Sequence, residues 1–181
     1  MLLDRLAIHF ASRRDALDVI GRFGNRFEHW AKWETAVALH FTSFIDNASQ
    51  VNAIAVERDG CDVFVGANPW PSTGYPAPHD RDVWIELKCR ATSDRGPSEL
   101  ARELVSDLRR LRDRKASQRF GHYLAIAIVV EHPRSGSVED WIRTIVEEPE
   151  LKNAQVRKIY VDQRYGNHEN RVLAALIACS I

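Results

Sequence analysis

The chain has 181 residues, 45% of them hydrophobic and 28% charged, with 25 Lys plus Arg against 25 Asp plus Glu. That composition suits one ordinary domain and excludes disordered and fibrous classes. The formal net charge of zero removes the strongly basic signature of histone-like or polybasic membrane proteins, although a local basic patch still suffices for nucleic acid.

Residues 1–10 carry Asp4 and Arg5 among apolar neighbours and read poorly as a signal peptide. Residues 15–44 read mostly as helix, because Leu17, Ile20, Phe23, Phe27, Trp30, Trp33, Val37 and Phe41 recur at spacings of three and four. Gly21 and Gly24 are candidate breaks in it. On pattern alone this is the core-facing helix that opens the fold. Residues 51–57 and 61–65 read as strands joined at Asp59-Gly60, a strong tight-turn signal. Residues 66–80 hold Pro69, Pro71, Pro76 and Pro78 and read as a long loop, a class that is usually functional or mobile. Its Trp70 and Tyr75 either stack on bases or pack back on the sheet.

Residues 82–89 alternate as a third strand. Ser98 is the expected N-cap of a helix running to about residue 115, with Leu100, Leu104, Leu108 and Leu111 as its buried stripe. Residues 121–130 are apolar on both faces, as in the middle of a sheet covered by helices. A short acidic helix over 138–147, a strand over 156–161 and a closing helix over 169–178 complete the reading. The expected fold is α/β: a mixed central sheet flanked by helices, in a single domain over 1–181. The apolar runs at 123–130 and 172–179 are too short to span a bilayer. Cys61, Cys89 and Cys179 are scattered and indicate neither a disulfide framework nor a zinc site. A soluble chain of the reduced cytoplasm, without a membrane partner, is the expectation.

Chemistry concentrates at Asp62, Glu86 and Lys88. Glu86 and Lys88 are two apart on a strand and share a face, and a hairpin-like connection brings Asp62 alongside. Facing carboxylates repel and stay ionised together only around a cation. That points to Mg²⁺ or Mn²⁺, held by Asp62, Glu86 and a backbone carbonyl (that of Leu87) and completed by water and a substrate phosphate. A lysine beside such a site orients the attacking water and neutralises charge on the pentavalent phosphate. Asp59 is a rival ligand, and Asp80 and Asp82 are candidates at the far end of the third strand. The alternative for Glu86 and Lys88 is a solvated cross-strand ion pair, against which Trp84 on their face argues for cover.

The arrangement resembles the PD-(D/E)XK, or restriction-endonuclease-like, nuclease superfamily, whose α-β-β-β-α-β core would cover about residues 15–130. A helix-strand-helix extension would then occupy 131–181. The resemblance maps the superfamily's second-strand aspartate to Asp62 and its Glu-x-Lys to Glu86-Leu87-Lys88. It gives the first-helix glutamate to Glu34; Glu28 lies one and a half turns earlier, and the alternative for either is a simply exposed side chain. Cys61 stands where the superfamily's proline would. What the resemblance implies is metal-dependent hydrolysis of phosphodiester bonds, usually in DNA, with catalytic roles for Asp62, Glu86, Lys88 and Glu34. The alternative function is a non-catalytic nuclease-like fold that binds protein, as an immunity or complex-assembly module.

Residues 95–119 carry eight cations and four acids, for +4. Arg102, Arg109 and Arg112 form a stripe beside the leucines that either lies along a phosphate backbone or is an ordinary solvated face. Residues 139–150 carry five acids and one cation, for −4, and that surface is expected to face away from nucleic acid. So small a chain leaves specificity to a homodimer, a protein partner or nucleic-acid structure. No histidine lies in a nucleophile motif and no glycine-rich phosphate loop is present, so Cys/His catalysis and ATPase or Rossmann chemistry are unsupported.

Overall fold

A computed structural model describes residues 2–23, 27–40, 53–58, 60–66, 82–118, 121–160 and 171–181. Trp70, Tyr75, Asp59, Asp80 and most of the proline-rich loop lie outside the described residues. So does the expected helix beyond His40.

Three helices, α1 (Leu2–Ser12), α2 (Arg14–Phe23) and α3 (Glu28–His40), precede strands β1 (Ala53–Arg58), β2 (Cys61–Gly66) and β3 (Val83–Ala91). Helix α4 (Pro97–Gln118), strand β4 (His122–Val130), helix α5 (Val138–Val146) and strands β5 (Gln155–Tyr160) and β6 (Val172–Ser180) follow. The strands form one mixed sheet in the order β1-β2-β3-β4-β6-β5. Among these pairings β3 with β4 is parallel and the rest are antiparallel, and α4 is the crossover that parallel pairing requires. No helix among the described residues is long and apolar enough to cross a membrane.

Each face of the sheet has its own core. Leu3, Leu6 and Phe10 of α1, Leu17 of α2 and Leu39 of α3 pack on Val63, Ile85, Leu87 and Ile128. On the other face, the leucine stripe of α4 and Val138, Trp141 and Ile145 of α5 cover Phe64, Trp84, Tyr123 and Val129. The α4 stripe is buried as expected, but the helix starts at Pro97, whose fixed φ and missing N–H suit a first helical position. Ser98 is therefore inside the first turn rather than its cap. In α5 the Ser137 side chain accepts a hydrogen bond from the Asp140 N–H, a true N-cap.

Several expectations are corrected. Residues 2–12 are a helix, so α1 rather than residues 15–44 opens the fold. On α3, Trp33 and Val37 are 54% and 38% exposed; the buried positions are Ala31, Lys32, Thr35, Ala36, Ala38 and Leu39, mostly small side chains that let the helix approach the sheet. Gly21 does not break its helix. A Cβ there would lie 2.3 Å from the Glu131 carbonyl oxygen, so glycine permits α2 to touch the end of β4.

The closing helix over 169–178 is instead strand β6, inserted between β4 and β5. Val-Leu-Ala-Ala-Leu-Ile-Ala-Cys is apolar at every position, so periodicity cannot separate buried strand from buried helix. Pairing on both edges and burial on both faces settle it as a strand. The segment after β4 is therefore helix-strand-strand, and its strands belong to the same sheet.

Candidate active site

The site begins where the sheet's regular pairing gives way. The β2–β3 register runs from Val65↔Val83 to Val63↔Ile85. One step further the Leu87 N–H donates to Asp62 Oδ2 at 2.6 Å, so a carboxylate replaces the neighbouring strand's carbonyl as acceptor. On the other side, Val56↔Val63 and Arg58↔Cys61 flank Asp62, and between them Glu57 has a φ of 57°. A left-handed conformation is uncommon for a residue with a Cβ and is maintained only where its surroundings enforce it. Gly60 is at φ 71° and Arg58 pairs with Cys61, so β1 and β2 meet as a hairpin, while Asp59 lies outside the described residues.

Asp62 Oδ1 lies 2.8 Å from Lys32 Nζ. The same ammonium is 3.3 Å from Glu57 Oε1 and 3.5 Å from Glu28 Oε1. Lys32 comes from α3 and is only 9% exposed, with Asp62 holding its proton more tightly than usual against the cost of burial.

Glu86 and Lys88 project toward α4, and Leu87 and Cys89 point into the opposite core, as alternation requires. Glu86, Lys88 and Arg90 of β3 meet Arg110, Asp107 and Glu103 of α4 in matched order. Glu86 Oε2 is 3.5 Å from Arg110 Nη2, and Lys88 Nζ is 3.3 Å from Asp107 Oδ2. Arg90 donates to both Glu103 oxygens at 2.8 and 2.7 Å. Arg110 also bonds Asp107 Oδ1. Glu86 is covered rather than solvated, at 4% exposure.

Burial, followed by the charge of Asp62, pushes the Glu86 carboxyl up to about 7, with Arg110 pulling the other way. Lys88 stays charged despite burial because Asp107, Glu28 and Asp62 surround it. In all, five carboxylates (Glu28, Glu57, Asp62, Glu86, Asp107) share three cations (Lys32, Lys88, Arg110).

Asp62, Glu86 and Lys88 are thus brought together; Glu34 is not among them. Its Oε2 accepts from His9 at 2.6 Å and from Arg13 Nε at 3.1 Å, which ties α3 to α1 and its flank. Glu28, one and a half turns earlier, is the α3 glutamate that contacts the network. Asp82 sits at the opposite end of β3, where its backbone carbonyl accepts the His122 N–H at 2.6 Å.

Arg102, Arg109 and Arg112 are exposed but do not border Glu86 and Lys88. At 3.6 residues per turn they lie on one side of the leucine stripe, whereas Glu103, Asp107 and Arg110 lie on the other. Arg109 pairs with Glu150 at 3.0 Å, and that hydrogen bond draws the Glu150 carboxyl below its ordinary range. The acidic segment therefore abuts the basic stripe instead of facing away from it.

Lys32, Asp107 and Arg110 escaped the sequence reading. Their one signal is a charged residue beside an apolar helix stripe, which solvated residues share. Cys61, Cys89 and Cys179 are free and buried; burial pushes the Cys61 thiol up to about 12, so it is no nucleophile.

The donor chemistry fits a hard divalent cation at two residues. Glu86 is a buried carboxylate under-supplied with positive charge, and it neighbours Asp62. Among the described residues no group of three or more His, Cys, Asp or Glu is gathered as a ready metal cage. Asp62 already uses one oxygen for Lys32 and the other for the Leu87 N–H. No family model, curated protein or solved structure matches the chain.

Proposed function

We propose that the chain is a divalent-metal-dependent nuclease of the restriction-endonuclease-like type, hydrolysing phosphodiester bonds, with DNA as the substrate. The observation that carries this reading is the buried Glu86 beside Asp62 at a break in strand pairing, with Lys88 one step along the same face. The run of helix, three strands, helix and strand over 28–130 supports it.

Asp62 and Glu86 would hold Mg²⁺ or Mn²⁺, with the Leu87 carbonyl as the third protein donor. Such an ion acts as a Lewis acid on the phosphate and lowers the pKa of water. The chain's own residues do the rest. Asp107 keeps Lys88 protonated and fixes its ammonium, which donates a hydrogen bond to the attacking water and offsets charge on the phosphate. Arg110 stands with its guanidinium half exposed at the edge of Glu86, placed to contact a phosphate oxygen. Water forms the new bond to phosphorus and releases a proton to solvent, the ester bond to the leaving oxygen breaks, and that oxygen takes up a proton from solvent.

The test is cleavage of single-stranded, double-stranded and branched DNA, and of RNA, with and without Mg²⁺. Wild-type protein should cleave only with Mg²⁺, and Lys88→Ala should lower the rate by about a hundredfold or more while its circular dichroism is unchanged. Undiminished cleavage by Lys88→Ala would sink the mechanism.

A second reading has one observation in its favour. The β3–α4 ion pairs match in order, and Asp62 has Lys32, so the charges have partners without any ligand. A non-catalytic protein-binding module would look like this. It requires that Mn²⁺ neither bind nor raise the melting temperature.

A further inference from the structure

We propose that Lys32 is a resident cation of the site: its ammonium occupies the oxygen of Asp62 that a divalent ion needs, and so sets the affinity for that ion. This rests on the reading of Asp62 and Glu86 as the metal-holding pair.

The geometry is that of an internal counterion rather than a surface pair. Carboxylates from α3, β1 and β2 converge on one Nζ, Asp62 nearest at 2.8 Å, then Glu57 at 3.3 Å and Glu28 at 3.5 Å. The side chain is 11% exposed, so the ammonium has exchanged most of its water for these oxygens. Asp62 Oδ2 is committed to the Leu87 N–H, which leaves Oδ1 as the oxygen for which Lys32 and a dication compete.

The two cannot share it freely, because like charges within a few ångströms repel strongly where water is scarce. Displacement does not strand the lysine. Glu28, one turn earlier on the same helix, and Glu57 remain within reach of its flexible stem. These two carboxylates, already in contact with the ammonium, thus form a parking place for it when Asp62 takes up a metal.

The experiment is Mn²⁺ binding to the full chain by titration calorimetry, with Lys32→Met, Lys32→Arg and Glu86→Gln beside the wild type. Lys32→Met should bind Mn²⁺ about tenfold more tightly than wild type. Lys32→Arg, which keeps the charge, should stay near wild type, and Glu86→Gln should bind more weakly. Affinity in Lys32→Met equal to or below wild type overturns the proposal.

Melting curves keep the test open if Lys32→Met is poorly folded. Its deficit should be recovered by Mn²⁺, with a larger rise than in wild type; an equal or smaller rise overturns the proposal as well. Tighter Mn²⁺ binding by Lys32→Met, with no cleavage by wild type, leaves this inference standing and removes the nuclease reading. Wild-type cleavage with unchanged Mn²⁺ affinity does the reverse.

Discussion

Glu86 is the residue whose cost to the fold can be measured directly. In the folded chain its carboxyl titrates at about 7 because burial and Asp62 disfavour its charge, against about 4.5 when unfolded. The folded state therefore binds the extra proton, and this contribution to stability is lost as pH rises through that window. Urea denaturation of metal-free protein should show the midpoint of wild type falling relative to Glu86→Gln between about pH 4.5 and about pH 7. A constant difference between the two proteins across that range would contradict the assignment.

At the scale of elements, the contact of α2 with the end of β4 makes an unusual prediction. Replacing glycine by alanine inside a helix ordinarily stabilises by about 1 kcal/mol. At Gly21 the new methyl would collide with the Glu131 carbonyl oxygen, so Gly21→Ala should destabilise by about 2 kcal/mol or more in chemical denaturation. A stabilised Gly21→Ala would show that α2 packs elsewhere.

The elements legible in the sequence are those with a single dominant period. The β1–β2 hairpin, the alternating β3, the leucine stripe of α4 and the two-sided β4 all fall where their patterns put them. Strand β6 was not legible, because a run apolar at every position carries no period. The site divides the same way. Glu86 and Lys88 share a face because strand alternation is a local property. Lys32, Asp107 and Arg110 reach the site from helices, and how closely a helix approaches a sheet is decided by packing. Glu34 and Glu28 illustrate the limit: both are α3 glutamates, and only the placement of that helix decides that Glu28 joins the Lys32 network while Glu34 meets α1.

At the scale of the whole molecule, the zero net charge is a cancellation in space as well as in number. Glu150 sits on Arg109, so the acidic and basic segments neutralise one another across α4 and the segment after α5. If the arginine stripe contacts nucleic acid, Glu150 competes with phosphate for it. Glu150→Gln should then tighten DNA binding about two- to threefold at low salt, with the gain fading at high salt. Fluorescence anisotropy across a salt series measures this, and an affinity that does not respond to Glu150→Gln removes the stripe from the interface.

Strand β6 also governs the order in which the molecule can be completed. It is the last of the described strands in sequence, yet it lies inside the sheet, hydrogen-bonded to β4 on one edge and β5 on the other. As the chain emerges from the ribosome, β4 has one edge unpaired until residues 172–180 arrive, and that edge belongs to a strand of Ile, Ala and Val that invites foreign pairing. Strand β5 has no neighbour in the sheet until the same moment. The nascent protein therefore passes through a stage at which two strands wait for one nine-residue strand between them, and that stage is where a chaperone would have most to protect.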